Sequence, residues 1–179
     1  MRRYIEVTVV GVIVFLATPV SALAQGSFEY LRGLPNGQSG DSMPYAISAD
    51  GSTVIGLSPP SGDQPRPFRL RNGLFSDLRA NAPVGFVPVL PLGVSGDGSV
   101  VVGYGYSFGD QEAFRWENGV ATRLGDLQDG LPRSVAYGVS ADGSIVVGYG
   151  FHAPIYDEAF RWENGVMVGL GDLPGRAFS

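Results

Sequence analysis

The chain has 179 residues, 12 basic and 17 acidic side chains, a formal net charge of −5 at pH 7, one histidine and no cysteine. The length predicts one compact domain, and the absence of thiols excludes disulfides, a thiolate nucleophile and cysteine-based zinc sites. All the basic residues are arginines scattered along the chain, so the sequence lacks the basic stripe of a nucleic-acid binder, and we expect no nucleic-acid partner.

The first 24 residues have the pattern of a secretory signal peptide. Two arginines precede a short apolar run, and small residues ending at Ala24 follow it. We expect cleavage after Ala24, which leaves a β-repeat domain at 25–179 in the periplasm or outside the cell. An uncleaved anchor is the alternative, but Pro19 interrupts a run that is shorter than the about 20 apolar residues of a typical span. We therefore predict no membrane span after cleavage.

A segment of about 46 residues occurs three times in the chain. Phe68, Phe114 and Phe160 are spaced by 46 and 46, and a Ser-x-Asp-Gly-Ser segment precedes each of them. Repeats of this length are typical of propellers and solenoids. The predicted units are approximately 28–78, 79–127 and 128–173, with the start of a fourth at 174–179.

Each unit carries the signals of about four short strands. An Asp-Gly pair and an Asn-Gly pair lie between apolar runs such as 145–149, and both pairs favour two-residue hairpins. Glycine and proline interrupt every window that is long enough for a helix. The sequence predicts an all-β fold of three four-stranded antiparallel repeats, a partial β-propeller. The alternative is a β-solenoid, but its rungs pair in parallel, whereas two-residue hairpins are antiparallel.

The second strand of a unit is apolar on both faces, as in 100–102. Such a strand needs cover on both sides, which two neighbouring blades would provide. Gly103 and Gly105 lack side chains on one face, so we expect an adjacent sheet to approach there. Tyr104 and Tyr106 are expected to fill the other face.

These motifs resemble the extracellular HAF repeat family, which is named for a His-Ala-Phe tripeptide ahead of an Arg-Trp strand. The match covers most of 28–179 and includes Val-Ser-x-Asp-Gly-Ser, Val-Val-Gly, Ala-Phe-Arg-Trp and Leu-Gly-Asp-Leu-Pro-Gly. Glu112 and Glu158 stand at the histidine position, and Leu70 replaces the tryptophan of the first unit. The resemblance implies an exported repeat protein without an established activity. A looser resemblance, through the Ser-x-Asp-Gly turn, is to TolB-type propeller repeats.

The turn aspartates Asp50, Asp97 and Asp142 are the strongest candidates for metal ligands. Ca²⁺ takes six to eight oxygens from clustered groups, and each of these turns supplies one carboxylate. An aspartate at this position more often caps its own turn by accepting the backbone N–H two residues further on. We therefore expect turn caps, no bound metal and no cofactor.

The acidic residues Glu112 and Glu158, with Asp110 and Asp157 close by, could supply the carboxylate pair of a glycoside hydrolase. Equivalent residues of successive blades would, however, lie at least the ~10 Å of packed sheets apart. We expect solvated acids and no catalytic residues.

Arginine, tryptophan and histidine residues are three further kinds of candidate site residue. Arg115 and Arg161 could form an anion-binding ring, but we expect their stems to cover apolar neighbours. Trp116 and Trp162 occupy the same repeat position and are expected to pack rather than to stack on sugars. His152 is predicted to be a solvated loop residue, because nothing in the sequence pairs it with a serine.

Three variable segments are predicted to form inter-strand loops on one edge of the units. Repeat proteins commonly place such insertions on a binding face. Their aromatic side chains would suit a carbohydrate or a protein partner (Tyr106, Phe108, Phe151 and Tyr156). The segments are Pro59–Arg66, Tyr106–Gln111 and Tyr149–Asp157.

The number of units conflicts with ring closure, since closed propellers use about four to eight blades. The chain stops part-way into a further unit, which favours a piece of a longer product. A closed ring of several copies and an open stack with caps are the alternatives, and the open blade faces would allow self-association.

The sequence thus predicts an exported, non-enzymatic repeat protein, either a binding module or a structural component of the cell surface. The alternative function is a propeller-type enzyme that acts on polysaccharide.

Overall fold

The computed structural model describes residues 42–58, 65–128, 130–152 and 156–171. All of them belong to one of the two units into which the chain divides, 31–179. The predicted signal peptide lies outside the described residues, as do the outer limits of the predicted repeat units, which stay predictions. Across the described ranges there is no helix that is long and apolar enough to cross a membrane.

In this part of the chain, twelve strands form three sheets of four strands each. Each sheet contains four consecutive strands in chain order. Blade 1 consists of β1 (Met43–Ile47), β2 (Thr53–Ser58), β3 (Arg66–Arg71) and β4 (Leu74–Asp77); blade 2 of β5 (Phe86–Val94), β6 (Val100–Ser107), β7 (Asp110–Glu117) and β8 (Val120–Gly125); and blade 3 of β9 (Ser134–Val139), β10 (Ile145–His152), β11 (Tyr156–Glu163) and β12 (Val166–Gly169).

Every pair of neighbouring strands within a blade is antiparallel. The predicted all-β fold of three four-stranded antiparallel repeats, a partial β-propeller, is therefore confirmed. A β-solenoid would pair equivalent strands in parallel. That alternative is wrong for the described residues.

The hairpin between the third and fourth strand of each blade turns on an Asn-Gly pair. The asparagine φ is 49° at Asn72 and 51° at Asn118 and Asn164, and each following glycine has φ between 76° and 85°. Positive φ at both central residues is the signature of a type I′ turn, whose twist matches that of the flanking strands. These turns fix the register between the third and fourth strands of each blade.

The turn between the first and second strand is held by serine and aspartate side chains. In blade 2, Asp97 Oδ1 accepts the backbone N–H of Ser99 at 2.9 Å and the hydroxyl of Ser95 at 2.8 Å. Ser95 Oγ in turn accepts the N–H of Val100 at 2.9 Å. The same three bonds form in blades 1 and 3. The prediction that these aspartates cap their own turns is confirmed.

Backbone hydrogen bonds join these turns from one blade to the next. The N–H of Asp50 donates to the carbonyl of Gly96 at 3.1 Å, and the N–H of Gly96 donates to the carbonyl of Ala141 at 2.9 Å. The turns of all three blades are thus connected in a row.

An arginine of the third strand adds a second link between neighbouring blades. Arg69 Nε donates to the carbonyl of Gly98 at 2.8 Å, and Arg115 Nε donates to the carbonyl of Gly143 at 3.2 Å. The prediction that Arg115 mainly covers an apolar neighbour is incomplete, because its guanidinium binds the turn of the following blade. We call this contact the arginine link.

Apolar side chains of facing blades form the core. The first strand of a blade packs on the preceding blade, β5 on β1–β3 and β9 on β5–β7. The two clusters contain Ile55, Leu78, Phe86, Val101, Phe114, Trp116 and Ala121 between blades 1 and 2, and Val100, Val102, Ala113, Leu124, Leu127, Ala136, Val146 and Phe160 between blades 2 and 3.

A β-bulge interrupts the pairing of the first and second strands at the same position in each blade. Tyr45, Leu92 and Tyr137 are the extra residues that have no partner in the register. The strand opposite carries a glycine there, and a Cβ at Gly103 would overlap the carbonyl oxygen of Leu90. The prediction that Gly103 admits an adjacent sheet is therefore wrong, because the close neighbour is the first strand of its own blade.

Replacing the bulge glycine should destabilise the protein. In Gly103→Ala the new methyl group must displace backbone, so we expect the free energy of unfolding to fall by about 1–3 kcal/mol, the range for overpacking. Urea denaturation measures the change. The matched control is Gly138→Ala, whose Cβ would meet only a methyl group of Val147 at 3.2 Å. Equal losses in the two variants would contradict the bulge argument.

The turn aspartates make the stability of the fold depend on pH. The pKa of Asp97 lies at about 2, because the backbone N–H of Ser99 and then the serine hydroxyls bind its ionised form. A lowered pKa stabilises the fold above pH 3.8, and that contribution is lost as the pH falls from 3.8 to about 2. We expect the difference in unfolding free energy between wild type and Asp97→Asn to shrink over this window.

Chemical denaturation at a series of pH values measures this difference. Asp110→Asn, at an exposed strand end, controls for the removal of one negative charge. A difference between wild type and Asp97→Asn that stays constant with pH would contradict the proposed role of the carboxylate.

Candidate functional site

Two of the three segments that were predicted to be variable loops are mostly strand in their described residues. In 106–111, β6 and β7 pair through Ser107 and Asp110, which leaves a turn of only Phe108 and Gly109. The prediction of a longer loop there is wrong, because the paired strands extend to the edge of the blade. In the segment 149–157, β10 likewise runs to His152 and β11 begins at Tyr156.

The remainder of these segments, 59–64 and 153–155, lies outside the described residues. His152 is the last residue of β10 and pairs with Tyr156, so the prediction that it belongs to a loop is wrong. The exposure of its side chain stays a prediction.

Four other tyrosines, which come from all three blades, lie close enough to Tyr104 to affect its pKa. The rings of Tyr104 and Tyr106 meet edge to face with 6.2 Å between their centroids, and those of Tyr137 and Tyr149 are 5.8 Å apart. Burial raises the pKa of Tyr104, and the phenols of the other tyrosines, including Tyr45 of blade 1, raise it further. We call Tyr45, Tyr104, Tyr106, Tyr137 and Tyr149 the tyrosine cluster.

The β-bulges help to present this cluster to solvent. Tyr45 and Tyr137 are the unpaired bulge residues of β1 and β9, and a bulge re-aims the side chain that it carries. Their exposed fractions are 44% and 55%, and that of Tyr106 is 45%. Tyr104 and Tyr149 are half-buried. The cluster therefore offers aromatic surface that is anchored on one side and open on the other.

A charged pair borders the tyrosine cluster. The guanidinium of Arg133 lies 5.7 Å from the centre of the Tyr149 ring and 3.6 Å from the carboxylate of Asp157. A hydrogen bond with the Tyr149 phenol, and then the charge of Asp157, raise the pKa of Arg133. Both charged side chains remain exposed, so they form a polar rim beside the rings.

The glutamates that were considered for hydrolysis have separate partners. The buried carboxylate of Glu112 lies 3.5 Å from Arg123, within blade 2. Glu158 of blade 3 accepts the backbone N–H of Gly171 at 2.7 Å. Among the described residues no three His, Asp or Glu side chains are grouped so that they could hold a metal ion. These contacts do not join the two glutamates to each other.

The two tryptophans pack between blades, as predicted. Trp116 is 3% exposed and lies beneath the guanidinium of Arg69, which is 5.3 Å from the ring centre. Trp162 packs against the cluster between blades 2 and 3. Neither ring belongs to the tyrosine cluster.

Two of the solved structures that are similar in fold to this chain are TolB-type propellers. TolB from Acinetobacter baumannii matches with a TM-score of 0.51 at 15% identity, over 73% of this chain and 32% of that one. A protein assigned as TolB from Agrobacterium tumefaciens matches with a TM-score of 0.55 at 19% identity, over 71% of this chain and 45% of that one. The fold is that of a TolB-like β-propeller.

At these identities the TolB structures show the fold alone, and the chain spans less than half the length of either. No protein-family model matches the chain, and no curated protein matches its sequence. The tyrosine cluster is therefore argued from its own residues.

Only Tyr106 of the tyrosine cluster was among the predicted binding aromatics. Of the others predicted, Phe108 is 84% exposed, Tyr156 is exposed and Phe151 is half-buried. A signal for the cluster was present in the repeat, since tyrosine recurs directly after the second-strand glycine, at Tyr104 and Tyr149.

Phe108 occupies a backbone conformation that bulky residues rarely adopt. Its φ is 51° and that of Gly109 is 104°. This hairpin therefore has positive φ at both central residues, as do the Asn-Gly hairpins of the three blades. The ring is 84% exposed, so burial does not compensate for the strain. Strain of this kind is typical of functional positions.

Asparagine should fit this position better than phenylalanine. We expect Phe108→Asn to raise the free energy of unfolding by about 1 kcal/mol, because the left-handed conformation is less strained for asparagine. Urea denaturation measures the change, and Phe108→Ala controls for loss of the ring alone. If Phe108→Asn is no more stable than Phe108→Ala, the strain argument is wrong.

Proposed function

We propose that the protein is an exported, non-enzymatic binding module that holds a segment of a partner protein on the tyrosine cluster. The observation that carries the proposal is the convergence of tyrosines from all three blades on one partly exposed surface.

The composition of this surface favours a protein partner. Tyrosine provides a large, rigid contact with a polar end and is enriched at protein interfaces. Val87, which is 47% exposed, lies opposite Tyr106 in the register and extends the apolar area. Arg133 and Asp157 supply a charged rim at one side. An apolar centre with a polar rim is the usual anatomy of an interface.

The polysaccharide-cleaving alternative draws no support from the acidic residues, since Glu112 and Glu158 bind different partners in different blades. Export is proposed from the signal-peptide pattern at 1–24. Kinship with the HAF repeats and the unit boundaries are likewise proposals, supported by the recurring motifs. A purely structural role at the cell surface would require no saturable ligand.

Arrays of random peptides and of glycans test the proposed function. We expect saturable binding to a subset of peptides, and we expect Tyr45→Ser combined with Tyr137→Ser to weaken it at least tenfold, since two central aromatic contacts are lost. Leu74→Ser is the control, because Leu74 is 74% exposed at the Asn-Gly edge of blade 1, away from the cluster.

Each other outcome contradicts a part of the proposal. Equal losses in the Leu74 control would place binding elsewhere on the protein. Binding to glycans alone would replace the protein partner with a carbohydrate. Turnover of a polysaccharide that Asp157→Asn abolishes would establish the enzymatic alternative, and an absence of any saturable ligand would favour the structural role.

A further inference from the structure

A cavity of about 380 Å³ lies between blades 1 and 2, beside the Asn-Gly hairpin of blade 2. Blade 1 contributes Arg69 and Arg71 of β3 to its lining, and blade 2 contributes Trp116 of β7 and Ser99. No residue of the tyrosine cluster lines it. The cavity is therefore a separate place from the surface to which the proposed function is assigned.

Two positive charges face this cavity. Arg69 and Arg71, which we call the arginine pair, lie on the same side of β3, because residues two apart on a strand share a face. Arg69 is held in place, since its Nε donates to the carbonyl of Gly98 at 2.8 Å and its guanidinium lies 5.3 Å from the centre of the Trp116 ring. Burial, and then the charge of Arg71, lower the pKa of Arg69. An anion between the two guanidinium groups would relieve their repulsion.

The other two blades show which anion fits this position. Arg115, the equivalent of Arg69 in blade 2, donates through Nη1 to Glu117 Oε2 at 2.8 Å. In blade 3, Nη1 of Arg161 lies 2.8 Å from Oε2 of Glu163. Blade 1 has Arg71 at the position of these glutamates, one repeat before Glu117. The carboxylate that belongs to the repeat is thus replaced in blade 1 by a second cation.

The carboxylates near the arginine pair are bonded to other groups. Asp77, which also lines the cavity, lies 3.4 Å from Arg66 and accepts the backbone N–H of Arg79 at 2.9 Å. Asp50 and Asp97 accept hydrogen bonds from the serines of their own turns. Across the described ranges, no carboxylate forms an ion pair with either member of the arginine pair. Its charge can therefore serve a ligand.

Hydroxyl and amide side chains also line the cavity. They are Ser76 and Ser99, with Asn81 and Asn118 at the exposed rim. Asn81 Nδ2 donates to the carbonyl of Gly119 at 3.2 Å, which joins the two blades at this rim. Hydroxyl and amide groups both donate and accept hydrogen bonds, so they suit the hydroxyl groups of a sugar. The volume is within the roughly 300–1,000 Å³ of small-molecule sites and exceeds what a carboxylate alone would fill.

We propose that this cavity binds a hexuronate, a sugar that carries a carboxylate, either free or as a residue of an acidic polysaccharide. The arginine pair holds the carboxylate in the place that Glu117 and Glu163 occupy in the other blades. The serine and asparagine side chains bond to the sugar hydroxyls. A guanidinium binds a carboxylate through two parallel hydrogen bonds, which a neutral sugar does not match. This site does not depend on the proposed function.

Titration with sodium galacturonate, followed in the proton–nitrogen correlation spectrum of the protein, tests the site. The chain has two tryptophans, so their indole N–H signals are easily separated, and Trp162→Phe assigns them. We expect the signal of Trp116 to shift saturably and that of Trp162 to stay in place. Galactose, which lacks the carboxylate, and acetate, which lacks the hydroxyls, should each bind at least tenfold more weakly.

Arg71→Glu provides the sharpest variant, because it restores in blade 1 the arginine–glutamate pair of the other blades. We expect galacturonate to bind at least tenfold more weakly, while stability in urea does not fall. Arg161→Glu makes the same change of charge on blade 3 and should bind galacturonate as wild type does. Equal losses in the two variants would reduce the effect to net charge and overturn the proposal.

The remaining outcomes also decide the matter. An unchanged Trp116 signal, or equal affinity for galacturonate, galactose and acetate, would overturn the proposal. Loss of galacturonate binding in Tyr45→Ser combined with Tyr137→Ser would place the sugar on the tyrosine cluster and overturn it as well. Tighter binding of an oligogalacturonide than of galacturonate would support a polysaccharide as the source of the uronate, and equal binding would support the free sugar acid.

Discussion

The serine–aspartate turn between the first two strands is the contact on which the architecture depends. Its side chains bond within the turn and so fix how the first strand meets the second. Its backbone bonds to the turn of the neighbouring blade, and its glycine carbonyl accepts the arginine link. A segment of five residues therefore contributes both to the pairing inside a blade and to the stacking of one blade on another.

Much of the fold could be predicted because its turns are determined locally. Asn-Gly and Asp-Gly pairs supply positive φ where the hairpins require it. Such a signal depends on neighbouring residues only, so it can be recognised in the sequence. The length of β5 could not be predicted, since Pro88 and Pro91 suggest an interruption. Both prolines are tolerated because β5 is an edge strand that pairs only with β6, and bulges occur beside them.

The tyrosine cluster was harder to predict from the sequence than the fold. Tyr45 and Tyr104 are far apart in the chain, and their proximity depends on how the blades are stacked, which a repeat pattern does not specify. The acidic residues were easier to judge, because equivalent positions in successive blades must be separated by the thickness of a sheet. The prediction of loops was wrong where β-strands remain paired up to the edge of the blade, because variable sequence at a strand end does not prevent pairing.

At the β-bulge, different residues maintain the strand pairing and provide the variable side chain. The glycine opposite the bulge preserves the backbone approach, whereas the bulge residue itself takes no part in the ladder and is tyrosine, leucine and tyrosine in blades 1 to 3. After duplication of the repeat, a mutation at the bulge changes the side chain that one blade presents without removing a residue pair from the ladder. A family of such arrays can thus diversify its recognition chemistry one blade at a time.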